Sequence, residues 1–178
     1  MRPTRARTRG FSLVELITVV SIVIALGSLA LPVITSMGRA REFAAARTVA
    51  RDLEQARDRA VLSGRATFVV FAPSSEGYSI LEEPTVDAGR ASAAPLTDPA
   101  SRGALTVRFV GPEWAGIDLA GVHVPGVSST EIRWDTRGRP TTAGGTVLTS
   151  AARVEFSGGT LVEVEPHTGC TRVRGDGS

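Results

Sequence analysis

Residues 9–37 read RGFSLVELITVVSIVIALGSLALPVITSM, and this stretch decides how the rest of the chain is interpreted. No charged residue occurs between Leu16 and Met37. At about 1.5 Å of rise per residue, some 20 residues of helix span a hydrocarbon core roughly 30 Å thick. Three arginines precede the stretch and a fourth, Arg9, is its first residue, and the sequence that follows it has the mixed composition of a globular domain. The stretch therefore predicts a membrane-length helix near the start of the chain.

Three interpretations of this helix compete. A core helix of a soluble domain rarely has so long an uncharged run. A cleaved secretory signal peptide would use the basic start of the chain, with Ser28-Leu29-Ala30 as its cleavage site. Glu15 argues against the signal peptide, because a carboxylate at the start of an apolar run is costly unless it is paired or neutralised. We favour a retained membrane helix in which Glu15 has a partner.

Residues Gly10 to Glu15, read as GFSLVE, carry a resemblance to a known family. They resemble the prepilin cleavage and methylation motif of type IV pilins and type II secretion pseudopilins. The resemblance implies that a prepilin peptidase cuts between Gly10 and Phe11 and methylates the new amino terminus at Phe11. It also matches Glu15 to the family's assembly glutamate and Pro32 to its helix-bending proline. Both residues are therefore predicted to serve assembly.

This resemblance divides the chain into four parts. Residues 1–10 become a cytoplasmic leader, which the four arginines would hold on that side of the membrane. Residues 11–37 become the transmembrane half of the N-terminal helix, and residues 38–64 its amphipathic half. Residues 65–178 become a β-rich periplasmic domain. The predicted location is the bacterial inner membrane, crossed once.

The amphipathic half is predicted from apolar residues at helical spacing between Arg39 and Leu62. Gly64 is able to take the left-handed conformation that ends a helix. The charged residues between these apolar positions are interpreted as a solvated face. The apolar positions are Phe43, Ala46, Ala50, Leu53, Ala60 and Val61, and the charged ones are Arg47, Arg51, Asp52, Glu54, Arg57, Asp58 and Arg59.

From Ala66 onward the apolar pattern becomes that of short strands separated by Gly and Pro, which is typical of antiparallel sheets. Pro, Gly, Ala and Ser dominate residues 84–103, which are predicted to form a long surface loop. The fold class is therefore α+β, with a long N-terminal membrane helix and a small antiparallel β-sandwich head. The pilin-like resemblance implies that the helix packs on this sandwich. The predicted strands are Ala66–Phe71, Tyr78–Glu82, Leu105–Val110, Ile117–Val124, Glu131–Trp134, Thr146–Thr149, Arg153–Ser157, Thr160–Glu165 and Thr171–Arg174.

This arrangement resembles the minor pseudopilins of the GspH/FimT type, although Cys170 stands where many relatives would carry a polar residue. The resemblance implies a structural subunit of a type II secretion pseudopilus. Its implied partners are other pseudopilins or pilins, the prepilin peptidase and the inner membrane. The alternative is a FimT-like minor pilin of a type IV pilus that binds DNA during uptake.

Charge distribution opposes a general role in nucleic-acid binding. The net charge of +2 includes four leader arginines, and removing residues 1–10 leaves 16 Arg against 18 acids, or −2. The domain over 65–178 has 10 Arg and 13 acids, or −3, so it lacks a broad basic surface. The DNA alternative depends on Arg172 and Arg174 near the C-terminus, with Arg153 as a further contact.

The sequence contains no recognisable catalytic or metal-binding motif. His123, His167 and Cys170 have no zinc-ligand spacing, and a single cysteine excludes an internal disulfide. The adjacent Glu82 and Glu83 should point to opposite faces of a strand. We therefore predict no enzymatic activity, no cofactor, no metal and no small-molecule substrate. Of the two tryptophans, Trp134 is predicted to be at least half buried, whereas Trp114 fits either the core or a partner contact.

Overall fold

A computed structural model gives the structure of residues 12–72, 77–98 and 102–175, with only the backbone described for residues 28–36. The chain forms two units, Met1–Met37 and Gly38–Ser178. Helix α1 runs over Leu13–Ser63. It ends where Gly64 takes a φ of +65°, a left-handed conformation that glycine adopts without a steric penalty.

Within the described residues ten strands follow, all paired antiparallel within two sheets. Sheet 1 has the order β3-β2-β1-β6-β7, with β4 also paired to β2, and sheet 2 has the order β10-β9-β8-β5. The predicted α+β class with antiparallel sheets is confirmed. The strands are β1 (Thr67–Ala72), β2 (Gly77–Glu82), β3 (Ala94–Pro95), β4 (Thr106–Arg108), β5 (Leu119–His123), β6 (Glu131–Trp134), β7 (Pro140–Thr141), β8 (Ala152–Phe156), β9 (Leu161–Val164) and β10 (Thr171–Arg174).

A single hydrophobic core joins the second half of α1 to both sheets. The helix contributes a stripe of mostly small residues, and alanine at these positions lets the helix backbone lie close to the strands. Phe109 joins the sheets, since its ring centroid lies 6.0 Å from that of Tyr78 in sheet 1 and 5.9 Å from that of Phe156 in sheet 2. The buried helical residues are Ala45, Ala46, Val49, Leu53, Ala56 and Ala60.

A smaller cluster lies on the opposite face of sheet 1. It consists of Ala66, Phe68 and Leu81, with Ala93 packed against it. Ala93 belongs to the segment 84–103, predicted as a loop, which also contains a 3₁₀ helix at Arg90–Ser92 and strand β3. The segment has this structure because apolar side chains on the outer face of sheet 1 need a cover.

The predicted strand Thr146–Thr149 is absent, and the short strand β7, which pairs with β6 at the end of sheet 1, precedes it in the chain. Gly145 N–H donates to Thr142 O at 2.9 Å, and the resulting tight turn leaves Val147 only an isolated bridge to Thr141. Leu148 is buried without belonging to a strand. The apolar residues in the predicted strand Thr146–Thr149 therefore indicate burial and not strand pairing.

Candidate functional site

Helix α1 exposes a continuous apolar surface at its start. Every described side chain from Ser12 to Gly27 is exposed, including the large apolar ones from Leu13 to Leu26. Such a surface marks a site of contact with a partner or a lipid phase. No helix within the described part of the chain combines the length and apolar character that a membrane crossing needs.

The polar side chains of this segment are arranged to suit an apolar environment. Thr18 Oγ1 donates to Val14 O at 2.8 Å, and Ser21 Oγ donates to Ile17 O at 2.8 Å. Both hydroxyl protons are therefore satisfied within the helix. Glu15 is exposed in the first turn, where the positive end of the helix dipole favours a carboxylate.

The remaining residues of the predicted N-terminal site divide into two cases. Gly10 and Phe11 lie outside the described residues. Pro32 lies within α1, and the helix continues on both sides of it. Leu16 N–H donates to Ser12 O at 3.1 Å, so the helical hydrogen bonds begin at Ser12, the first residue that the structure describes.

The second half of α1 is joined to sheet 1 through two buried polar contacts. Tyr78 Oη donates to Asp52 Oδ2 at 2.7 Å, and Thr67 Oγ1 donates to Ala56 O at 2.7 Å. Burial raises the pKa of the Tyr78 phenol, and the adjacent negative charge and hydrogen bond of Asp52 raise it further. The prediction of a solvated face is therefore wrong for Asp52, which is 5% exposed.

The same helix is joined to sheet 2. Glu42 Oε1 accepts a hydrogen bond from Thr160 N–H at 2.8 Å, and Glu54 Oε1 accepts one from Thr171 Oγ1 at 2.6 Å. Hydrogen bonds to charged groups are about twice as strong as those between neutral groups. These contacts fix the β8–β9 turn and the start of β10 to the helix.

Glu82 holds the end of the helix and the following turn. Arg59 Nε and Nη2 donate to its two carboxylate oxygens at 2.9 and 3.1 Å, and Arg65 Nη2 donates to Oε2 at 3.3 Å. Burial would raise the pKa of Glu82, but hydrogen bonds from Arg59 and Ser63 and the charges of Arg59 and Arg65 hold it below its ordinary value.

Asp135 does the same for the turn between β6 and β7. Its carboxylate accepts backbone hydrogen bonds from Arg137 and Arg139 at 2.9 and 2.8 Å, and a side-chain bond from Arg139 Nε at 2.9 Å. Burial would raise the pKa of Asp135, and these hydrogen bonds lower it below its ordinary value. Asp135 thus fixes the turn between β6 and β7.

The arginines proposed for DNA contact are paired with acids. Arg174 Nη2 lies 3.1 Å from Glu163 Oε2, and Arg153 Nη2 lies 3.2 Å from Glu163 Oε1. Arg172 Nη2 lies 3.6 Å from Glu165 Oε1. The structure thus brings the three arginines together, but the carboxylates of Glu163 in β9 and of Glu165 just after it reduce the positive potential that a phosphate would meet.

The other candidate side chains do not form a site. His123, His167 and Cys170 are exposed, and no group of three metal-ligand side chains occurs among the described residues. Trp134 is fully buried, as predicted, and Trp114 is half buried, with its ring edge-on to Phe109 at 5.4 Å between centroids.

Glu82 and Glu83 point to opposite faces of sheet 1. Glu82 pairs in register with Thr67, whose side chain reaches the helix, whereas Glu83 lies near Arg133 on the outer face. Two structurally important acids were missed by sequence reasoning. Nothing in the sequence around Glu42 indicates that it is buried. The burial of Asp52 could have been recognised, because it lies one residue before Leu53 in the apolar stripe of the helix.

Comparison with known proteins identifies the architecture. The family described as Type II transport protein GspH matches residues 45–166. Two solved structures of the minor pseudopilin EpsH from the type II secretion system of Vibrio cholerae resemble the structure of this chain. Each has a TM-score of 0.57 and 12% sequence identity; the first covers 78% of this chain and 98% of that one, and the second 79% and 97%. A comparison with curated protein sequences finds no match.

The family match covers the second half of α1 and most of both sheets, which are the elements that the GspH/FimT resemblance predicted. It does not include the motif over Gly10 to Glu15, which precedes the matched residues. The resemblance at the level of the family is confirmed: the chain belongs to the GspH family of type II transport proteins.

Proposed function

We propose that the protein is a minor pseudopilin, a structural subunit of a type II secretion pseudopilus that supports protein export. The observation that carries the proposal is the joining of a GspH-type head to a helix with an exposed apolar start. A filament subunit needs both parts, one surface to pack on its neighbours and one folded head. A non-enzymatic role agrees with this assignment, since the polar groups of the head are used to fix helix and turns.

The proposal includes anchoring and processing of the N-terminus. Residues 11–37 anchor the chain in the inner membrane, and residues 38–178 lie in the periplasm. The uncharged run after Glu15 and the internally bonded Thr18 and Ser21 hydroxyls support this topology. Prepilin peptidase cuts after Gly10 and methylates Phe11.

Glu15 and Pro32 serve assembly in this proposal. After cleavage the new amino terminus is a cation close to lipid, and Glu15 of a neighbouring subunit pairs with it. A charge pair in a medium of low dielectric is costly when only half of it is present. The pairing therefore favours one register between subunits. Pro32 weakens the helical hydrogen bonding locally, because it has no backbone N–H.

The test begins with protein isolated from its native membrane. Mass spectrometry should find a mature chain that starts at methylated Phe11. A secretion assay in a strain lacking the gene should then show recovery with the wild-type chain. An intact leader, or a start at Leu31, would contradict the processing step. Normal export without the gene would contradict the function.

The second candidate, a FimT-like pilin that binds DNA, has less support. Arg172 and Arg174 are exposed, which favours it, but Glu163 and Glu165 pair with them. A type II secretion subunit is the better assignment because the matched family is described as a transport protein.

A further inference from the structure

A small cavity of about 160 Å³ opens on the outer face of sheet 1. It lies between the turn that carries Asp87 and Arg90 and the turn that carries Gly144, with Glu83 and Arg133 in its wall. A water molecule occupies about 30 Å³ in the liquid, so the cavity has room for about five waters or one slender side chain. It is too small for any larger element of a partner.

Glu83 is the unusual group in this wall. Its side chain is 1% exposed, and neither carboxylate oxygen has a hydrogen-bond donor among the residues that the structure describes. Glu83 forms an ion pair with Arg133, whose Nη2 lies 3.8 Å from Glu83 Oε1. This distance is too long for a hydrogen bond. A carboxylate buried without donors is unfavourable, so this group favours the arrival of a donor that carries positive charge.

The charges around the cavity are not balanced by the chain itself. Arg90 Nε donates to Glu131 Oε2 at 2.7 Å, so its charge is already matched. Glu83 and the exposed Asp87 then share the cavity wall with one further guanidinium, that of Arg133. This guanidinium lies 5.8 Å from the centroid of the Phe68 ring, a cation–π distance, as well as 3.8 Å from Glu83 Oε1. One negative charge remains in excess.

We propose that the cavity receives a lysine side chain from a different pseudopilin, whose ammonium group donates to Glu83; this rests on the proposed function. An ammonium is compact, offers three donors and is carried on a slender stem, whereas a guanidinium needs a planar space. The chain contains no lysine, so another copy of itself cannot supply the group. The partner is therefore a different subunit.

The test uses the full chain in a non-ionic detergent, with n-butylammonium chloride as the probe. The probe should raise Tm by about 2 °C or more at saturation, because it binds the folded state only. Tetramethylammonium chloride is the matched control, since it has the same charge but no N–H donor. Equal shifts with both salts, an equal shift with ethylguanidinium, or no shift with butylammonium would each overturn the proposal.

Two variants separate a binding role from a structural one. Glu83→Gln should abolish the butylammonium shift without lowering Tm in its absence, because it removes a buried charge that has no hydrogen-bond donor. If Glu83 only pairs with Arg133, this variant lowers Tm instead, and the proposal fails. Glu82→Gln is the neighbouring control, expected to lower Tm and keep the shift.

Gly144→Val tests the cavity without changing Glu83. The φ of Gly144 is not left-handed, and the nearest side-chain atom to a Cβ built there would be Thr142 Oγ1 at 3.9 Å, so a side chain is tolerated. A valine at the rim should reduce the butylammonium shift and leave the unliganded Tm unchanged. A retained shift argues against this cavity as the binding site. A chain that supports secretion but shows no butylammonium shift rejects the lysine pocket and leaves the proposed function intact.

Discussion

Glu42 Oε1, on helix α1, accepts a hydrogen bond at 2.8 Å from the backbone N–H of Thr160, in the turn between β8 and β9. The two residues are 118 positions apart in the sequence, and Glu42 is 5% exposed. Gly158 lies beside the same carboxylate, and a Cβ at that position would collide with it. One buried acid thus fixes a hairpin turn to the helix.

Glu42→Ala should lower the free energy of unfolding by about 1–3 kcal/mol, because the buried Thr160 N–H loses its acceptor. Glu42→Gln is the matched control, since it keeps an acceptor oxygen and should lose less. Chemical denaturation of the full chain in detergent measures both. Gly158→Ala should also destabilise the wild type, but by less in the Glu42→Ala background. Additive effects would show that Glu42 and Gly158 are not coupled.

Tyr78→Phe should lower the free energy of unfolding by about 1–3 kcal/mol, because Asp52 loses a buried hydrogen-bond donor. Tyr78 is the only tyrosine in the chain, so phenolate absorbance reports on it alone. Its pKa is raised in the folded state, so the stability it contributes is complete below the ordinary value of 10 and is lost as the pH rises further. Phenolate that forms near pH 10 before the protein unfolds would contradict the buried contact.

Acid should destabilise the head through Glu82 and Asp135. The pKa of each is depressed in the folded state from ordinary values of 4.5 and 3.8. Their contribution is therefore present above those values and is lost as the pH falls through the depressed folded pKa values. Unfolding measured between about pH 6 and 2 should show this loss, and Glu82→Gln should reduce its slope. An unchanged slope would assign acid sensitivity to other groups.

Glu15→Leu should leave folding and leader cleavage intact and impair assembly. The substitution removes a carboxylate from an apolar segment, which favours insertion by about 2 kcal/mol or more. It also removes the proposed partner of a neighbouring amino terminus. The measurement compares insertion and leader cleavage with crosslinking to other pseudopilins. Unchanged crosslinks and unchanged export would contradict a role in assembly.

Arg172→Ala combined with Arg174→Ala should have little effect on DNA binding, because Glu163 and Glu165 already reduce the charge of the two arginines. A gel-shift titration at low salt measures this. Glu163→Gln is the informative control: it frees Arg153 and Arg174, and should increase salt-sensitive retardation. Strong retardation of the wild type that both arginines require would instead favour the DNA-binding alternative.

The strands β8 and β9 were predictable because apolar and polar residues alternate strictly in strands that bury one face. Val154 and Phe156 in β8, and Val162 and Val164 in β9, alternate with Glu155 and Glu163, and all four apolar residues are buried. The end of the helix was likewise indicated by Gly64. These features depend on local pattern and glycine geometry, which a single sequence shows directly.

The polar contacts of the candidate sites were not predictable in the same way. Glu42 lies among charged residues typical of a solvated helix face, and only its partner Thr160, distant in sequence, explains its burial. The position of Asp52 beside Leu53 indicates burial, but its partner Tyr78 is likewise distant in sequence. The packing of Ala93 against the cluster around Phe68 was not predicted, for a related reason. Residues 84–103 are rich in Pro and Gly, and nothing local in them reveals an apolar face that needs covering.

The contacts of α1 with both sheets have a mechanical consequence. Polar bonds at Glu42, Asp52 and Glu54 are spread along the helix and connect it to sheet 2, sheet 1 and sheet 2 respectively. A tensile load applied along residues 38–63 would be shared among these bonds and the alanine stripe at once. Such a load shears the interface between the helix and the sheets, so these contacts would have to break together rather than one after another. The head therefore resists unfolding when its helix is pulled along its axis.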